Sequence, residues 1–275
     1  MADLKISKAD LLELLPDREE FEVQDLFAAI AWSVICEPGD GFAGFLVSAL
    51  GPALALESQI HNRDASYIKS QILDTGFGDW DLNAYGTFEK TLITSRERWK
   101  PRLSLDLVRE SLFAIRKVGG QVITPRSEQW PQQVSDLGNH APMVLWIRGN
   151  FDSLSSLRQS VAIVGSRGAT SYGEFVTDAM VSALVPKNLA IISGGAYGID
   201  GVAHRSTLAM QGQTVAVMAG GVDRFYPTGN ADLLKRISQV GAVISELPPG
   251  STPTKWRFLQ RNRLIAALSQ ATLVV

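Results

Sequence analysis

From residue 160 onward, short apolar runs alternate with Gly-containing loops and helix-like segments. The apolar runs predict strands over 160–164, 190–192, 214–218, 242–245 and 272–275, and the segments between them predict helices over 173–185, 199–211, 230–240 and 262–269. Apolar strands joined through helices are typical of a parallel sheet buried on both faces. Because such crossovers are right-handed, we expect an α/β fold with a doubly wound, Rossmann-like sheet. The chain stops inside its last apolar run, which suggests a sheet domain truncated at its C-terminal end.

The first 110 residues show a different pattern, in which short helices are broken by Gly and Pro. Apolar residues three and four apart predict helices over 10–15, 23–35 and 41–50. We expect a small all-α domain over 1–65, a connecting helical region over 66–110 and an extended Rossmann-like domain over 111–275. A basic cluster at Arg96, Arg98, Lys100 and Arg102 is interpreted as a solvated helix face.

Composition excludes several classes of protein. A single cysteine, Cys36, excludes a disulfide framework within the chain and a cysteine-based zinc site, and three dispersed histidines disfavour a metal cluster. Neither a secretory signal nor a membrane-length apolar run is present, so a cytoplasmic protein is expected. Residues 1–154 hold 15 Lys and Arg against 22 Asp and Glu, whereas residues 155–275 hold 11 against 6. The basic back half indicates an anionic partner, although a simple drift of surface charge explains the numbers equally well.

The loops that follow the predicted parallel strands converge on one edge of the sheet, where ligands of such folds bind. These loops bring glycines, helix N-termini, cations and aromatic rings together, a set that suits phosphates and unpaired bases. The candidate DNA-binding residues are Gly165, Ser166, Arg167, Ser193, Gly194, Gly195, Tyr226, Lys255, Phe258, Arg261 and Arg263. Arg261 and Arg263 are equally compatible with capping carbonyls or pairing with Glu246.

Other ligand sites and an enzyme are disfavoured by the same loops. The first turn lacks the dinucleotide pattern G-x-G-x-x-G, and the sequence contains no G-x-x-x-x-G-K-[ST] phosphate loop. Ser193, Asp200 and His204 lie close in sequence, but no G-x-S-x-G elbow surrounds the serine. Asp223 and Glu246 are better explained by turn formation and by orientation of an arginine. We therefore predict no catalytic residues, no cofactor and no metal.

Several motifs in the back half, taken in order, resemble the DNA-processing protein A family, known as DprA or Smf. The motifs are Val164-Gly165-Ser166-Arg167, Ser193-Gly194-Gly195-Ala196-Tyr197-Gly198-Ile199-Asp200, Gly221-Val222-Asp223 with Tyr226-Pro227, Ser245-Glu246, and Arg261-Asn262-Arg263-Leu264. Together they cover about residues 160–275. The helical front resembles the sterile-alpha-motif-like (SAM-like) domain of that family.

The resemblance implies a protein without catalytic activity that binds single-stranded DNA and hands it to the RecA recombinase. It also implies a contact with single-strand-binding protein, a role in natural transformation and recombination, and a homodimer. The family's DNA contacts are carried over to Gly165, Ser166 and Arg167, and to Lys255, Arg261 and Arg263. The sequence departs from the family at Tyr197, where a basic residue is commoner, and at Leu259, where proline is frequent.

Two other functions stay open at this stage. The first is a nucleotide-processing phosphoribohydrolase of the lysine-decarboxylase-like group, although its Pro-Gly-Gly signature is missing and Gly220-Gly221 is followed by Val222-Asp223. The second is a helical adaptor whose N-terminal module binds protein partners, which is compatible with DNA binding.

Overall fold

The computed structural model describes residues 20–78 and 86–275, so the helix predicted over 10–15 lies outside the described residues. The chain divides into two compact units. The helical unit contains Met1–Leu112 together with the short segment Gly138–Met143, and the sheet unit contains Phe113–Leu137 and Val144–Val275.

Short helices with polar caps build the helical unit. They are α1 (Glu20–Ile35), α2 (Gly41–Leu50), α3 (Pro52–Ile60), α4 (Ala65–Asp74), α5 (Phe88–Trp99) and the first part of α6 (Leu105–Lys117). Helix α2 begins where the Asp40 side chain accepts from the amide of Ala43, and α5 begins where Thr87 accepts from Lys90. Gly51, with a φ of 77°, ends α2, and Pro52 then starts α3 at a sharp corner.

Aromatic rings fill the core of the helical unit. The Trp32 and Trp99 rings meet edge to face at 5.1 Å between centroids, and Phe42 meets Phe88 at 5.3 Å. In the residues that the structure describes, no single helix is long and apolar enough to cross a membrane. The pair α2 and α3 reaches that length only together, with a bend of 114°.

A sheet of seven strands forms the centre of the sheet unit, in the order β1-β2-β6-β5-β4-β3-β7. The strands are β1 (Gln121–Ile123), β2 (Leu145–Gly149), β3 (Ser160–Val164), β4 (Ala190–Ser193), β5 (Thr214–Val217), β6 (Ala242–Ser245) and β7 (Ala271–Val274). Strands β3 to β7 run parallel, whereas β2 runs antiparallel to β6 and β1 antiparallel to β2. The predicted parallel sheet is confirmed, and two antiparallel strands extend it.

Helices cover both faces of this sheet. They are α7 (Ser171–Leu184), α8 (Ile199–Ala209), α9 (Ala231–Val240) and α10 (Lys255–Leu268). Val161 and Ile163 of β3 pack with Val181 of α7, whereas Ala162, between them, belongs to the core formed with Leu264 of α10. Alternate residues of a strand point to opposite faces, so the doubly wound arrangement is confirmed.

Helix α10 begins at Lys255, seven residues before the predicted start at residue 262, so the predicted start is wrong. Thr254 caps the helix, and its hydroxyl accepts from the amide of Arg257 at 3.3 Å. The inward row of α10 contains Arg261, which is only 7% exposed, at a position where the helical pattern calls for an apolar residue. This buried arginine interrupts the apolar periodicity that would have predicted the first half of the helix. In the structure, Lys255 and Phe258 lie on this helix rather than in a loop.

Candidate nucleic-acid interface

The loops after β3 and β4 pack directly on each other at the carboxyl edge of the sheet. Gly198 has a φ of 71°, and a Cβ there would lie 2.1 Å from the carbonyl oxygen of Ser166. That same carbonyl accepts from the amide of Ile199 at 3.1 Å. The close approach fixes the turn that carries Arg167, whose side chain is exposed.

Three of the candidate residues, from three different loops and helices, come together at this edge. The Arg167 guanidinium lies over the Phe258 ring, with Cζ 4.5 Å from the centroid. The Phe258 and Tyr226 rings are 6.0 Å apart and tilted by 48°. Phe258 is half-buried, whereas Tyr226 is 45% exposed. We call Arg167, Tyr226 and Phe258 the edge cluster.

The position of Lys255 on α10 connects it to the edge cluster. It precedes Phe258 by three residues and therefore lies on the same side of the helix. Trp256 is two residues from Phe258, about 200° around the helix, and so lies on the other side. Lys255 is exposed, which leaves its ammonium group available next to the edge cluster.

The glycine loop after β4 is bonded to the protein rather than open to a ligand. Ser193 is fully buried, and its hydroxyl donates to the carbonyl of Ile163 at 2.6 Å. The amides of Gly194 and Ala196 donate to Asp200 Oδ2 at 3.2 and 3.4 Å. Asn230 Nδ2 donates to the carbonyl of Ala196 at 2.9 Å. The two amides are occupied by the Asp200 carboxylate in this structure, and the predicted contact of the glycine loop with DNA stays a prediction.

Arg261 is part of the same buried network. Its Nη1 donates to the carbonyl of Gly194 at 2.6 Å and to the carbonyl of Val217. Gly194 is required because a Cβ there would lie 2.1 Å from Nη1, and Gly195 has a φ of 67°. The Arg261 Cζ is also 5.8 Å from the Phe258 centroid. Arg261 therefore stabilises the glycine loop through hydrogen bonds and contacts Phe258 of the edge cluster.

Burial dominates the protonation of this network. It raises the pKa of Asp200, an effect that the Arg261 charge opposes. It also lowers the pKa of Arg261 to about 10, against the attraction of Asp200. Arg261 therefore stays charged near neutral pH, and its charge favours the ionised form of Asp200 beneath the loop.

Arg263 lies apart from the edge cluster. It follows Phe258 by five residues, about 140° around α10. Its Nη2 pairs with Glu246 Oε2, and the two side chains are only 18% and 12% exposed. Of the two interpretations given for Arg261 and Arg263, carbonyl capping and pairing with Glu246 both occur in the structure.

The serine, aspartate and histidine considered for a catalytic triad are all buried, and Ser193 interacts with Asp200 through its side chain and with His204 through its backbone. Asp200 accepts from loop amides, and Ser193 donates to Ile163. His204 is fully buried, with Nδ1 2.7 Å from Thr214 Oγ1, and burial lowers its pKa to about 3. Sequence reasoning missed the structural roles of Asp200 and Asn230. The sequence signal for Asp200 was its position in the first turn of the predicted helix that became α8, where a carboxylate can reach the amides of the preceding loop.

Comparisons with known proteins identify related sequences. The family model of DNA recombination-mediator protein A matches residues 121–275. The DprA protein of Mycobacterium tuberculosis is 42% identical over 184 residues, which are 63% of this chain and 47% of that protein. The DNA processing protein DprA of Bacillus subtilis is 36% identical over 164 residues, 60% of this chain and 54% of that protein.

A solved structure shows the same fold. The X-ray structure of DprA from Streptococcus pneumoniae superposes with a TM-score of 0.61 at 24% identity, covering 98% of this chain and 78% of that one. The chain spans about half the length of the curated relatives it matches. Because the family model covers more than half of its residues and the resemblance seen in the motifs is confirmed, the chain belongs to the DNA recombination-mediator protein A (DprA/Smf) family.

Proposed function

We propose that this chain binds single-stranded DNA at the carboxyl edge of its parallel sheet. The observation that carries the proposal is the edge cluster, in which an exposed arginine rests on one ring beside a second, exposed ring. Cations next to aromatic faces are the combination that binds single strands, because phosphates need charge and unpaired bases need stacking surfaces. A duplex hides its base faces, so it would gain only the charge contacts.

The residues at the carboxyl edge of the sheet would have different roles in DNA binding. Phe258 holds the Arg167 guanidinium over its ring, so this cation is oriented before DNA arrives. Tyr226 has the more exposed ring and would stack a base, at about 1–3 kcal/mol. Lys255 would contact a neighbouring phosphate. The buried Ser193, Gly194 and Arg261 would position the exposed groups, and Arg263 would act through Glu246.

The family supplies the biological setting. Its name, DNA recombination-mediator protein A, and the name of its relative, DNA processing protein DprA, support a role in DNA processing during recombination, and we place that role in natural transformation. We extend this to a protein that is not an enzyme, is cytoplasmic, acts as a dimer, loads RecA and displaces single-strand-binding protein. Incubation with nucleoside monophosphates tests the first extension, since release of a free base would indicate a phosphoribohydrolase instead.

The decisive experiment is fluorescence anisotropy with labelled oligothymidylate at several salt concentrations, with a duplex of equal length as competitor. We expect Arg167→Ala to weaken binding and to reduce the slope of log affinity against log salt by about 0.7, the value for one phosphate contact. Arg158→Ala is the matched control because this exposed arginine precedes the amino end of β3, opposite the candidate edge. Equal slopes for the Arg167 and Arg158 variants would show that Arg167 does not contact phosphate.

A further inference from the structure

The helical unit contains a cavity that the proposed DNA site does not use. Its volume is about 340 Å³, within the range of pockets that hold small ligands. Its apolar wall is formed by Trp32, Ile35, Ile60, Trp99 and Leu103. An apolar cavity of this size, open to solvent on one side, can bury one large side chain or a group of similar size.

Two cations line the cavity without an acidic partner in direct contact. Arg96 donates to three neutral acceptors, Gln59 Oε1 at 2.8 Å, the carbonyl of Ser58 at 3.3 Å and the carbonyl of Arg63 at 2.6 Å. Lys100 is exposed, and no described residue gives its ammonium a hydrogen bond or an ion pair. The other two members of the basic cluster are neutralised, since Arg98 pairs with Asp40 and Arg102 with Glu37. Asp64 attracts Arg96 without an ion-pair contact, and the charged residues that line the cavity itself, Arg96 and Lys100, are both cations.

The polar groups at the cavity narrow the choice of ligand. Gln59 is fully engaged, because its Oε1 accepts from Arg96 and its Nε2 donates to Ser58 Oγ at 2.7 Å. Asn62 is also a lining residue, and a side-chain amide can both donate and accept. Trp32 and Trp99 are 0% and 3% exposed, so the accessible apolar surface is that of Ile60 and Leu103, which gives a nucleobase no aromatic face on which to stack. An apolar group joined to a carboxylate, with a peptide bond nearby, fits these groups best.

We propose that this cavity binds the C-terminal residue of a partner protein. The apolar side chain of that residue would fill the cavity, its free α-carboxylate would pair with Lys100 in the field of Arg96, and Asn62 would hydrogen-bond the last peptide group. Within a polypeptide, a carboxylate and an apolar side chain share one carbon only at the C-terminal residue. The proposal is independent of DNA binding and gives the helical unit a partner of defined chemistry.

The test uses the full chain and two fluorescein-labelled hexapeptides of glycine and serine that end in phenylalanine, one with a free carboxylate and one with a C-terminal amide. In anisotropy titrations we expect the amide to bind at least about tenfold more weakly, because it cannot form the charge-assisted contact. Lys100→Ala should lower the affinity for the carboxylate peptide about fivefold and leave the affinity for the amide peptide unchanged.

Matched variants and competitors make the result unambiguous. Lys90→Ala removes the same charge from the opposite end of α5, about 15 Å away, and should bind both peptides like the wild type. Arg167→Ala should also leave peptide binding unchanged, so failure of the DNA proposal and failure of this one are separable. Equal affinity for the two peptides, no binding of either, or displacement by thymidine monophosphate rather than by unlabelled carboxylate peptide would overturn the assignment.

Discussion

Arg261 shows how one residue can look like a ligand contact in the sequence and act as a structural element in the molecule. Its guanidinium lies among backbone carbonyls and near the Asp200 carboxylate, where burial lowers its pKa to about 10. A buried charge of this kind persists only when it is paired and hydrogen-bonded. The sequence motifs predicted that both Arg167 and Arg261 contact DNA. A pattern of residue types could not distinguish the buried Arg261 from the exposed Arg167.

His204 should give the folded protein a specific sensitivity to acid. Burial lowers its pKa to about 3, whereas the unfolded chain protonates a histidine at about pH 6.5. Above pH 7 His204 is neutral in both states, so its titration does not change the free energy of unfolding. As the pH falls, the histidine of the unfolded chain binds a proton, whereas the buried histidine of the folded protein stays neutral. The free energy of unfolding should therefore decrease by about 2 kcal/mol between pH 7 and pH 5.

Urea unfolding at pH 7, 6 and 5 measures this loss. His204→Asn keeps a side-chain amide that can donate to Thr214 and removes the titration, so this part of the decrease should disappear. His61→Asn is the control because His61 is exposed, and it should retain the full decrease. The same pH dependence in the His204 variant as in the wild type would show that another group causes it.

At the scale of elements, the strands of the parallel sheet were predictable almost to the residue. The strand predicted over 160–164 is β3, and the others differ from the prediction by at most one residue at an end. Uninterrupted apolar runs bounded by glycine determine a buried strand locally. The first half of helix α10 was not predictable from periodicity because one of its core positions holds Arg261, and the antiparallel pairing of β2 depends on contacts far away in sequence.

The first turn of α10 connects helix stability to the edge cluster. Thr254→Ala removes the cap bond to the Arg257 amide and should lower the free energy of unfolding by about 1 kcal/mol. Because Lys255 and Phe258 lie in that turn, affinity for oligothymidylate should fall as well. Thr87→Ala, which removes the cap of α5 in the helical unit, should cost similar stability but leave DNA affinity unchanged. Equal effects of both variants on affinity would mean that the first turn of α10 does not position the site.

At the scale of the whole molecule, the change in net charge and the boundaries of the two compact units fall at different residues. The net charge becomes positive after residue 154 because acidic residues are few there, whereas the chain leaves the helical unit at Leu112 and returns to it over Gly138–Met143. The three-part division predicted from the sequence stays a prediction. The return segment could not be foreseen because its contacts are not local: His140 Nδ1 lies 2.8 Å from the carbonyl of Gly39.

Gly44 allows a test of whether the helical unit takes part in DNA binding. A Cβ on this residue would lie 1.8 Å from the backbone oxygen of Asn139, within the return segment. Because backbone cannot move aside as a flexible side chain can, Gly44→Ala should lower the free energy of unfolding by about 1–3 kcal/mol. Gly78→Ala, with open space around its Cβ position, should change stability little.

Anisotropy with oligothymidylate, measured below the melting transition of both glycine variants, then separates two outcomes. If the site is confined to the carboxyl edge of the sheet, Gly44→Ala binds DNA like the wild type although it is less stable. An affinity that falls together with stability would show that the helical unit also contributes contacts to the DNA. In that case the unneutralised Arg96 and Lys100 would be the first residues to test as phosphate contacts.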